Sequence, residues 1–233
     1  MIKQLQFGKK KVFLHLPENA GENTPIVYLP EMKGDILNTL LTMDDDHIFD
    51  NMALAVVCVS NWFDDLTPWP APPAFGKVGF AGKFNTFFDH VVNTVMPTIE
   101  SRYPVAATPE SRAVAGYSLG GLAGVLFFLQ SDKFAHLASM SGSFWYPNLF
   151  EHVNKLIDSK STCTAYFSLG DAEQSPHGIF SAVNQNHADM AGVFTQKFGE
   201  ENVFFEWNTG DHGTDVPQRI YKGLCHLAQQ LTQ

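Results

Sequence analysis

The chain has 233 residues, of which 45% are hydrophobic and 17% are charged, and its formal net charge is −9. This composition predicts one domain, residues 1–233, with a sizeable core, and the acidic balance argues against nucleic acid or an anionic membrane as a partner. Polar residues interrupt every apolar stretch before the roughly 18 residues of a membrane span, and no signal-peptide pattern opens the sequence, so a cytoplasmic protein is expected.

The first predicted elements are strands. Residues 4–7 and 11–16 flank Gly8 and are expected to form an N-terminal antiparallel hairpin. Six later runs are short, apolar and rich in β-branched or aromatic residues, which is typical of strands that are buried on both faces. These six runs are residues 25–29, 53–60, 112–115, 137–140, 164–169 and 203–207.

Helical periodicity fills the intervals between these strands. Apolar residues at three- and four-residue spacing predict a helix over 84–103 that is kinked at Pro97. A second helix, over 119–130, is apolar nearly all round, as expected of a helix that is pressed closely on a sheet. Strands and helices in alternation predict an α/β fold in which a mostly parallel central sheet is covered by helices on both faces.

Two more helices are predicted near the carboxyl end of the chain. One covers residues 179–198 and should end at Gly199 in a left-handed cap. The other begins near Pro217, because proline is favoured in the first turn of a helix. Both helices would contribute to the layers that cover the sheet.

Residues 61–83 fit neither period. The segment holds four prolines, three glycines and five aromatic residues. So many aromatic residues argue against disorder, and a loop that follows a strand of an open α/β sheet lies at the carboxyl edge, where ligands bind. We therefore expect this loop to form a wall of the active site, and the alternative is a packed, proline-rich surface loop.

The segment Gly116-Tyr117-Ser118-Leu119-Gly120 has the pattern G-x-S-x-G. It directly follows the predicted strand 112–115 and opens the predicted helix 119–130, which is the arrangement of a nucleophile elbow. Such a turn is so tight that only glycine fits beside the serine, and it lifts the serine oxygen toward the substrate. Ser118 is therefore the predicted nucleophile.

A serine hydroxyl needs a general base, and the base needs an acid that orients it. His212 lies in a glycine-flanked loop after the last predicted strand and is the predicted base. Glu173 and Asp171 share the loop after strand 164–169, and the residues alone do not decide between them as the acid. Asp211 is poorly placed, since the side chains of neighbouring residues diverge in an extended loop.

The remaining site residues are predicted from their position near the nucleophile. The N–H of Leu119 and an amide in segment 31–34, for which we choose Met32, would stabilise the oxyanion. Four aromatic side chains are candidates for lining a substrate pocket, and the alternative for such residues is a place in the core. These four are Trp145, Trp69, Phe144 and Tyr117.

These motifs resemble the putative-esterase family of α/β hydrolases, which includes enterochelin-esterase-like enzymes, bacterial feruloyl esterases and mycolyltransferases. The resemblance rests on residues 116–121, on the serine-rich segment 139–146 and on the loops at Gly170 and His212. It implies the α/β-hydrolase fold and a serine esterase activity. It also implies Glu173 as the acid, because the acid of this family commonly lies three residues after such a glycine.

The predicted function is hydrolysis of a small or aromatic carboxylic ester through an acyl-enzyme. A thioesterase or acyltransferase would use the same residues, and a non-catalytic binding module of the same fold is the third hypothesis. The acidic chain argues against the acidic siderophores that some members of the family cleave. No cofactor or metal is predicted, since the carboxylates beside His47 and His212 lack a diagnostic metal-binding spacing. Cys58, Cys163 and Cys225 are expected to be reduced core residues.

Overall fold

Eight strands form one mixed sheet in the computed structural model of the protein, which describes residues 1–231. The strands are β1 Ile2–Phe7, β2 Lys10–His15, β3 Ile26–Glu31, β4 Ala53–Cys58, β5 Arg112–Tyr117, β6 His136–Met140, β7 Thr164–Gly170 and β8 Val203–Asn208. Their order in the sheet is β1-β2-β4-β3-β5-β6-β7-β8. The predicted hairpin β1–β2 is antiparallel, β2 also pairs antiparallel with β4, and the other neighbouring strands are parallel.

Helices cover both faces of this sheet. They are α1 Asp35–Thr42, α2 Trp62–Asp65, α3 Phe84–His90, α4 Met96–Arg102, α5 Leu119–Gln130, α6 Leu149–Leu156, α7 Val183–Phe198 and α8 Val216–Leu231. The apolar sides of α1 and α8 pack on one face, and those of α3 to α7 belong to the core on the other face. This architecture confirms the predicted α/β-hydrolase fold. None of the helices within residues 1–231 is both long and apolar enough to cross a membrane.

The helix predicted over 84–103 changes its type before Pro97. α3 ends at His90, residues Val91–Val95 form a π-helical turn, and α4 begins at Met96. Proline has no N–H to donate, and the first turn of a helix is where that donor is not needed. The predicted kink is therefore a break in the hydrogen-bonding pattern just before the proline.

The prediction of a left-handed cap at Gly199 is wrong. Gly199 has a φ of 92° and a ψ of 153°, whereas a left-handed residue has a ψ near +50°. The chain does not curl back after α7, because a 3-10 turn, Glu200–Asn202, follows at once and leads into β8. The start of the predicted helix also differs, since residues Ile179–Ala182 form a 3-10 turn before α7 begins.

The carboxyl ends of the parallel strands meet at one edge of the sheet. Tyr117 at the end of β5 is in register with Met140 on β6, and Gly170 at the end of β7 is in register with Asn208 on β8. The segments that follow these strands begin at this edge, as in other open α/β sheets. This register brings together residues that are far apart in the chain.

The loop over residues 61–83 is ordered by its own contacts. The Asn61 side chain accepts hydrogen bonds from the N–H groups of Phe63 and Asp64 and so caps the short helix α2. Ala71 and Phe80 form an isolated antiparallel bridge further along the loop. The segment is therefore a folded excursion at the carboxyl edge of the sheet.

Candidate active site

Ser118 occupies the sharp turn between β5 and α5. Its φ of 59° and ψ of −122° form a backbone conformation that residues with a side chain rarely adopt. A Cβ atom added to Gly116 would overlap the carbonyl oxygen of Gly120, so this turn requires glycine. At Gly121 an added Cβ would lie 2.7 Å from Ser139 Oγ, so glycine there allows α5 to begin close to the sheet. The elbow holds the Ser118 hydroxyl at the edge where the parallel strands end.

A chain of hydrogen bonds joins Ser118, His212 and Glu173. His212 Nε2 lies 2.9 Å from Ser118 Oγ, and His212 Nδ1 lies 2.7 Å from Glu173 Oε2. Because an ionised carboxylate can only accept, Nδ1–H donates to Glu173 and Nε2 is left to accept the serine proton. The His212 side chain is 50% exposed and that of Glu173 is 4% exposed, so the base faces the solvent and the acid lies beneath it.

The structure brings Glu173, and neither of the two aspartates, to the histidine. Asp171 Oδ1 instead accepts the N–H of Gly210 at 2.8 Å, which ties the loop after β7 to the loop after β8. Asp211 caps its own turn, where Oδ1 accepts from the N–H of Gly213. Both aspartates therefore shape the loops that carry the acid and the base.

Glu173 is held in its ionised form. Burial raises the pKa of this carboxyl, but hydrogen bonds from His212, Ser141 and the N–H of Gly170 lower it, and the result is a pKa of about 2. Ser141 Oγ donates to Glu173 Oε1 at 2.6 Å, and the Gly170 N–H donates to the same oxygen at 2.8 Å. An ionised acid at this position stabilises the positive charge that an imidazole gains when it takes a proton.

Sequence reasoning missed Arg219 on α8. Its guanidinium is buried and lies 2.7 Å from Glu173 Oε1 through Nη1. The helical spacing of α8 predicts which of its residues face the sheet. It does not reveal which residue a single arginine beside the apolar side of the helix will bind. The contact is seen only when α8 is packed beneath the loops after β7 and β8.

A cavity of about 440 Å³ opens beside Ser118 and His212. Five aromatic side chains form much of its wall: Trp62, Phe63, Phe75, Trp145 and Phe180. The first three belong to the loop over 61–83, so the structure places that loop where the sequence expects it. The Phe75 and Phe180 rings are stacked with their centroids 6.3 Å apart, which joins this loop to the 3-10 turn before α7.

His187 on α7 also lines the cavity, and the sequence analysis did not assign it to the site. Its Nδ1 donates to the carbonyl oxygen of Val183 at 2.9 Å, as a carbonyl can only accept. Burial lowers the pKa of His187 to about 4, so its ring is neutral near pH 7. The cavity wall is therefore largely aromatic, and Glu173 is the one acidic residue among the described residues that line it.

Three of the four predicted pocket residues lie outside the lining of this cavity. Trp69 packs edge-on against Tyr146 and donates through Nε1 to the carbonyl oxygen of Pro147. Phe144 is 1% exposed and packs in the core against Phe167. Tyr117 points beneath the site, where its hydroxyl donates to the carbonyl oxygen of His212. Trp145 is the one of the four that lines the cavity. The other three assignments fail because proximity in sequence to a strand end does not determine the direction in which a side chain points.

The two predicted oxyanion donors have different outcomes. The Leu119 N–H follows Ser118 at the start of α5, and within residues 1–231 it donates to no other group. The Met32 N–H is already bonded to the carboxylate of Glu31 at 2.6 Å, and the Met32 side chain is exposed beside a different cleft. The assignment of Met32 is therefore wrong, because a local side-chain acceptor occupies its donor.

The acidic segment 44–47, between α1 and β4, forms a turn. Asp44 accepts the N–H groups of Ile48 and Phe49 through its two carboxylate oxygens, at 2.9 and 3.1 Å. Its Oδ1 also accepts from the Tyr221 hydroxyl. Across residues 1–231, no group of three or more His, Cys, Asp or Glu side chains is arranged to hold a metal ion.

Comparison with known proteins gives one family match and several similar proteins. The model of the family described as "Putative esterase" matches residues 7–215. The chain is 26% identical over 174 residues to the uncharacterized protein YbbA of Bacillus subtilis (strain 168). The matched segment covers 71% of this chain and 70% of that protein.

Two solved structures show the same fold. An IroE-like serine hydrolase from Shewanella oneidensis superposes with a TM-score of 0.76 at 17% identity, over 98% of this chain and 80% of that chain. The siderophore hydrolase EstA from Aspergillus nidulans superposes with a TM-score of 0.77 at 17% identity, over 98% of this chain and 94% of that chain. Since the family match spans most of the sequence, the resemblance seen in the motifs is confirmed: the chain belongs to the putative-esterase family and is an esterase-type hydrolase.

Proposed function

We propose that the protein is a serine carboxylic-ester hydrolase that works through an acyl-enzyme on Ser118 and takes a small or aromatic neutral ester. The observation that supports this most is the hydrogen-bonded chain from Ser118 through His212 to Glu173 at the mouth of the aromatic cavity. His212 lies within hydrogen-bonding distance of both Ser118 and Glu173, as acyl transfer requires of the base.

Each step of the proposed reaction uses an atom of this site. Ser118 Oγ attacks the ester carbonyl while its proton passes to His212 Nε2, and Glu173 stabilises the imidazolium at Nδ1. The Leu119 N–H stabilises the oxyanion of the tetrahedral intermediate. His212 then gives its proton to the leaving alcohol as the bond between the acyl carbon and that alcohol's oxygen breaks. It later takes a proton from the water that attacks the acyl-enzyme and returns it to Ser118 Oγ as the carboxylic acid leaves.

The cavity supports a neutral substrate. Its volume of about 440 Å³ lies in the range of small-molecule sites and accommodates an aryl group. Among the described residues that line it, none is a lysine or arginine, and the chain is acidic overall. An anionic ester would therefore lack a counter-charge in the cavity, and a neutral aryl ester would gain contact with the aromatic wall.

Labelling with a fluorophosphonate tests the nucleophile. Wild type should be labelled at Ser118, and Ser118→Ala should lose the label and lose turnover of p-nitrophenyl acetate by at least about 10³-fold. Ser131→Ala, at the far end of α5, is the matched control and should keep both the label and the turnover of p-nitrophenyl acetate. An unlabelled, inactive wild type would indicate a binding module, and product appearing on an added alcohol in preference to water would indicate an acyltransferase.

We also propose the cytoplasm as the compartment of the protein. Cys58, Cys163 and Cys225 are unpaired, which is typical of proteins from a reducing environment. Cys163 is buried as expected of a core residue, whereas Cys58 and Cys225 are half-buried. Fractionation of cells that express the chain should recover it with cytoplasmic markers, and recovery with secreted proteins would contradict the proposal.

A further inference from the structure

We infer that Arg219 is a positioning residue of this esterase, which acts on the reaction by holding Glu173 and the loop of His212 in one geometry. The inference rests on the proposed function, because it assigns Arg219 a role only through the acid and the base. It assigns the residue no contact with the substrate.

The hydrogen bonds of Arg219 reach residues at the carboxyl ends of four neighbouring strands. Nη1 donates to Glu173 Oε1 at 2.7 Å and lies 3.1 and 3.2 Å from the hydroxyl oxygens of Tyr117 and Ser141. Nη2 donates to the carbonyl oxygens of Thr209 and Asp211 at 3.3 and 2.9 Å. One planar group on α8 thus joins the ends of β5 and β6 to the loops after β7 and β8.

These contacts determine which oxygen Glu173 presents to the base. Oε1 accepts from Arg219, from Ser141 Oγ and from the Gly170 N–H. With three donors on Oε1, rotation of the carboxylate would break several bonds at once. Oε2 is therefore directed to His212 Nδ1, and the imidazole is fixed in the orientation that places Nε2 at Ser118.

The same guanidinium holds the backbone that carries the base. Thr209 and Asp211 lie just before His212 in the chain, and the carbonyl oxygens of both accept from Nη2. Tyr117 adds a third tie, since its hydroxyl donates to the His212 carbonyl oxygen while it accepts from Nη1. Lysine could not make this set of contacts, because an ammonium lacks the rigid fork of an arginine.

Burial of the pair also points to a role beyond stability. The side chains of Arg219 and Glu173 are 2% and 4% exposed. A buried ion pair can often be replaced by apolar residues at little cost in stability, so its presence alone is weak evidence of a stabilising function. Here the pair lies directly beneath the hydrogen bond between acid and base, where a small displacement would misalign the imidazole.

The chain contains a matched control for this pair. Arg112 at the start of β5 binds Glu100 through two parallel hydrogen bonds of 2.7 and 2.8 Å, and these side chains are 7% and 10% exposed. Arg112 lies at the opposite end of the same strand that leads to Ser118. Loss of either arginine removes a buried ion pair, but only one of the two pairs touches the site.

Kinetics of a double-mutant cycle test the inference. Arg219→Met should lower kcat for p-nitrophenyl acetate by about 30-fold or more with KM within about twofold, and Arg219→Lys should recover part of that loss. In a Glu173→Gln background, Arg219→Met should lower kcat by a clearly smaller factor than in wild type, because one of the two groups through which it acts is already disabled and only its contacts to the His212 loop remain to be lost. Arg112→Met should lower the Tm while kcat stays within about twofold.

Two results would overturn the inference. If the losses from Arg219→Met and Glu173→Gln multiply in the double variant, Arg219 does not act through the acid. If Arg219→Met lowers only the Tm, as Arg112→Met should, its role is structural. Should Arg219→Met fail to fold, the kcat of Arg219→Lys against that of Arg112→Lys decides, and an equal effect of the two contradicts the inference. Failure of the proposed function is distinct, because it would show as a wild type that is inactive and unlabelled at Ser118.

Discussion

Replacing Glu173 with glutamine tests whether the acid stays ionised in the folded protein at low pH. Burial raises the pKa of this carboxyl, but hydrogen bonds from His212, Ser141 and Gly170 lower it to about 2 from an ordinary value of 4.5. Since the folded-state pKa lies below the unfolded-state value, its contribution to stability is present above about pH 4.5 and is lost as the pH falls toward 2. At 1.36 kcal/mol per pKa unit, the loss between pH 6 and pH 3 is about 2 kcal/mol.

Urea unfolding of both proteins at a series of pH values measures this loss. Glutamine does not titrate, so the difference in unfolding free energy between wild type and Glu173→Gln should shrink by about 2 kcal/mol as the pH falls from 6 to 3. His187, whose pKa burial lowers to about 4, titrates in both proteins and largely cancels. A difference that does not change with pH would refute the reasoning, because it would mean that Glu173 has the same pKa in the folded and unfolded states.

Three further predictions concern the elbow, the donors to the acid and the cavity. Gly116→Ala should lower the Tm by more than about 5 °C and abolish ester turnover, since its Cβ would overlap the Gly120 carbonyl, and an unchanged Tm would contradict that geometry. Ser141 donates to Glu173 Oε1 and has a φ of 48°, a left-handed conformation that glycine adopts without strain. Ser141→Gly and Ser141→Ala both remove this hydrogen bond, so both should lower kcat by roughly tenfold, while the glycine variant should be the more stable of the two in urea. Equal stability of the two variants would exclude backbone strain at this position. Trp145→Ala should raise KM for aryl esters by about tenfold, whereas Trp69→Ala should lower the Tm at unchanged KM, and the same KM for both variants would argue against this cavity as the aryl site.

Local patterns account for the parts of the site that the sequence predicts. The nucleophile elbow depends on glycines within three residues of Ser118, so its signal lies in one short segment. The strands before Glu173 and His212 are apolar runs bounded by polar, glycine-containing loops, and their order in the chain is enough to propose a base after the last strand. These features depend on neighbours in sequence, which is why composition and periodicity reveal them.

Side-chain direction accounts for the parts that the sequence does not predict. Trp145 and Phe144 are neighbours in the chain, yet one lines the cavity and the other packs in the core. Likewise the residues alone leave Asp171 and Glu173 as alternatives, and the choice between them came from the family resemblance. In the structure, Glu173 bonds to His212, whereas Asp171 binds the N–H of Gly210.

The amino-acid sequence alone determined the class of fold, through the alternation of its strands and helices, and it predicted the candidate nucleophile and the general position of the candidate base, because the elbow and the strand-end loops are each encoded by residues that are close together in the chain. Tertiary structure decided which acid meets the base, which aromatic rings form the cavity, that Met32 has no free donor, and that Arg219 lies under the site. The contacts of Arg219 alone join α8 to the ends of β5 and β6 and to the loops after β7 and β8, across up to 102 positions of the chain. No local pattern encodes such a contact, since it exists only after the sheet has assembled and α8 has packed against it.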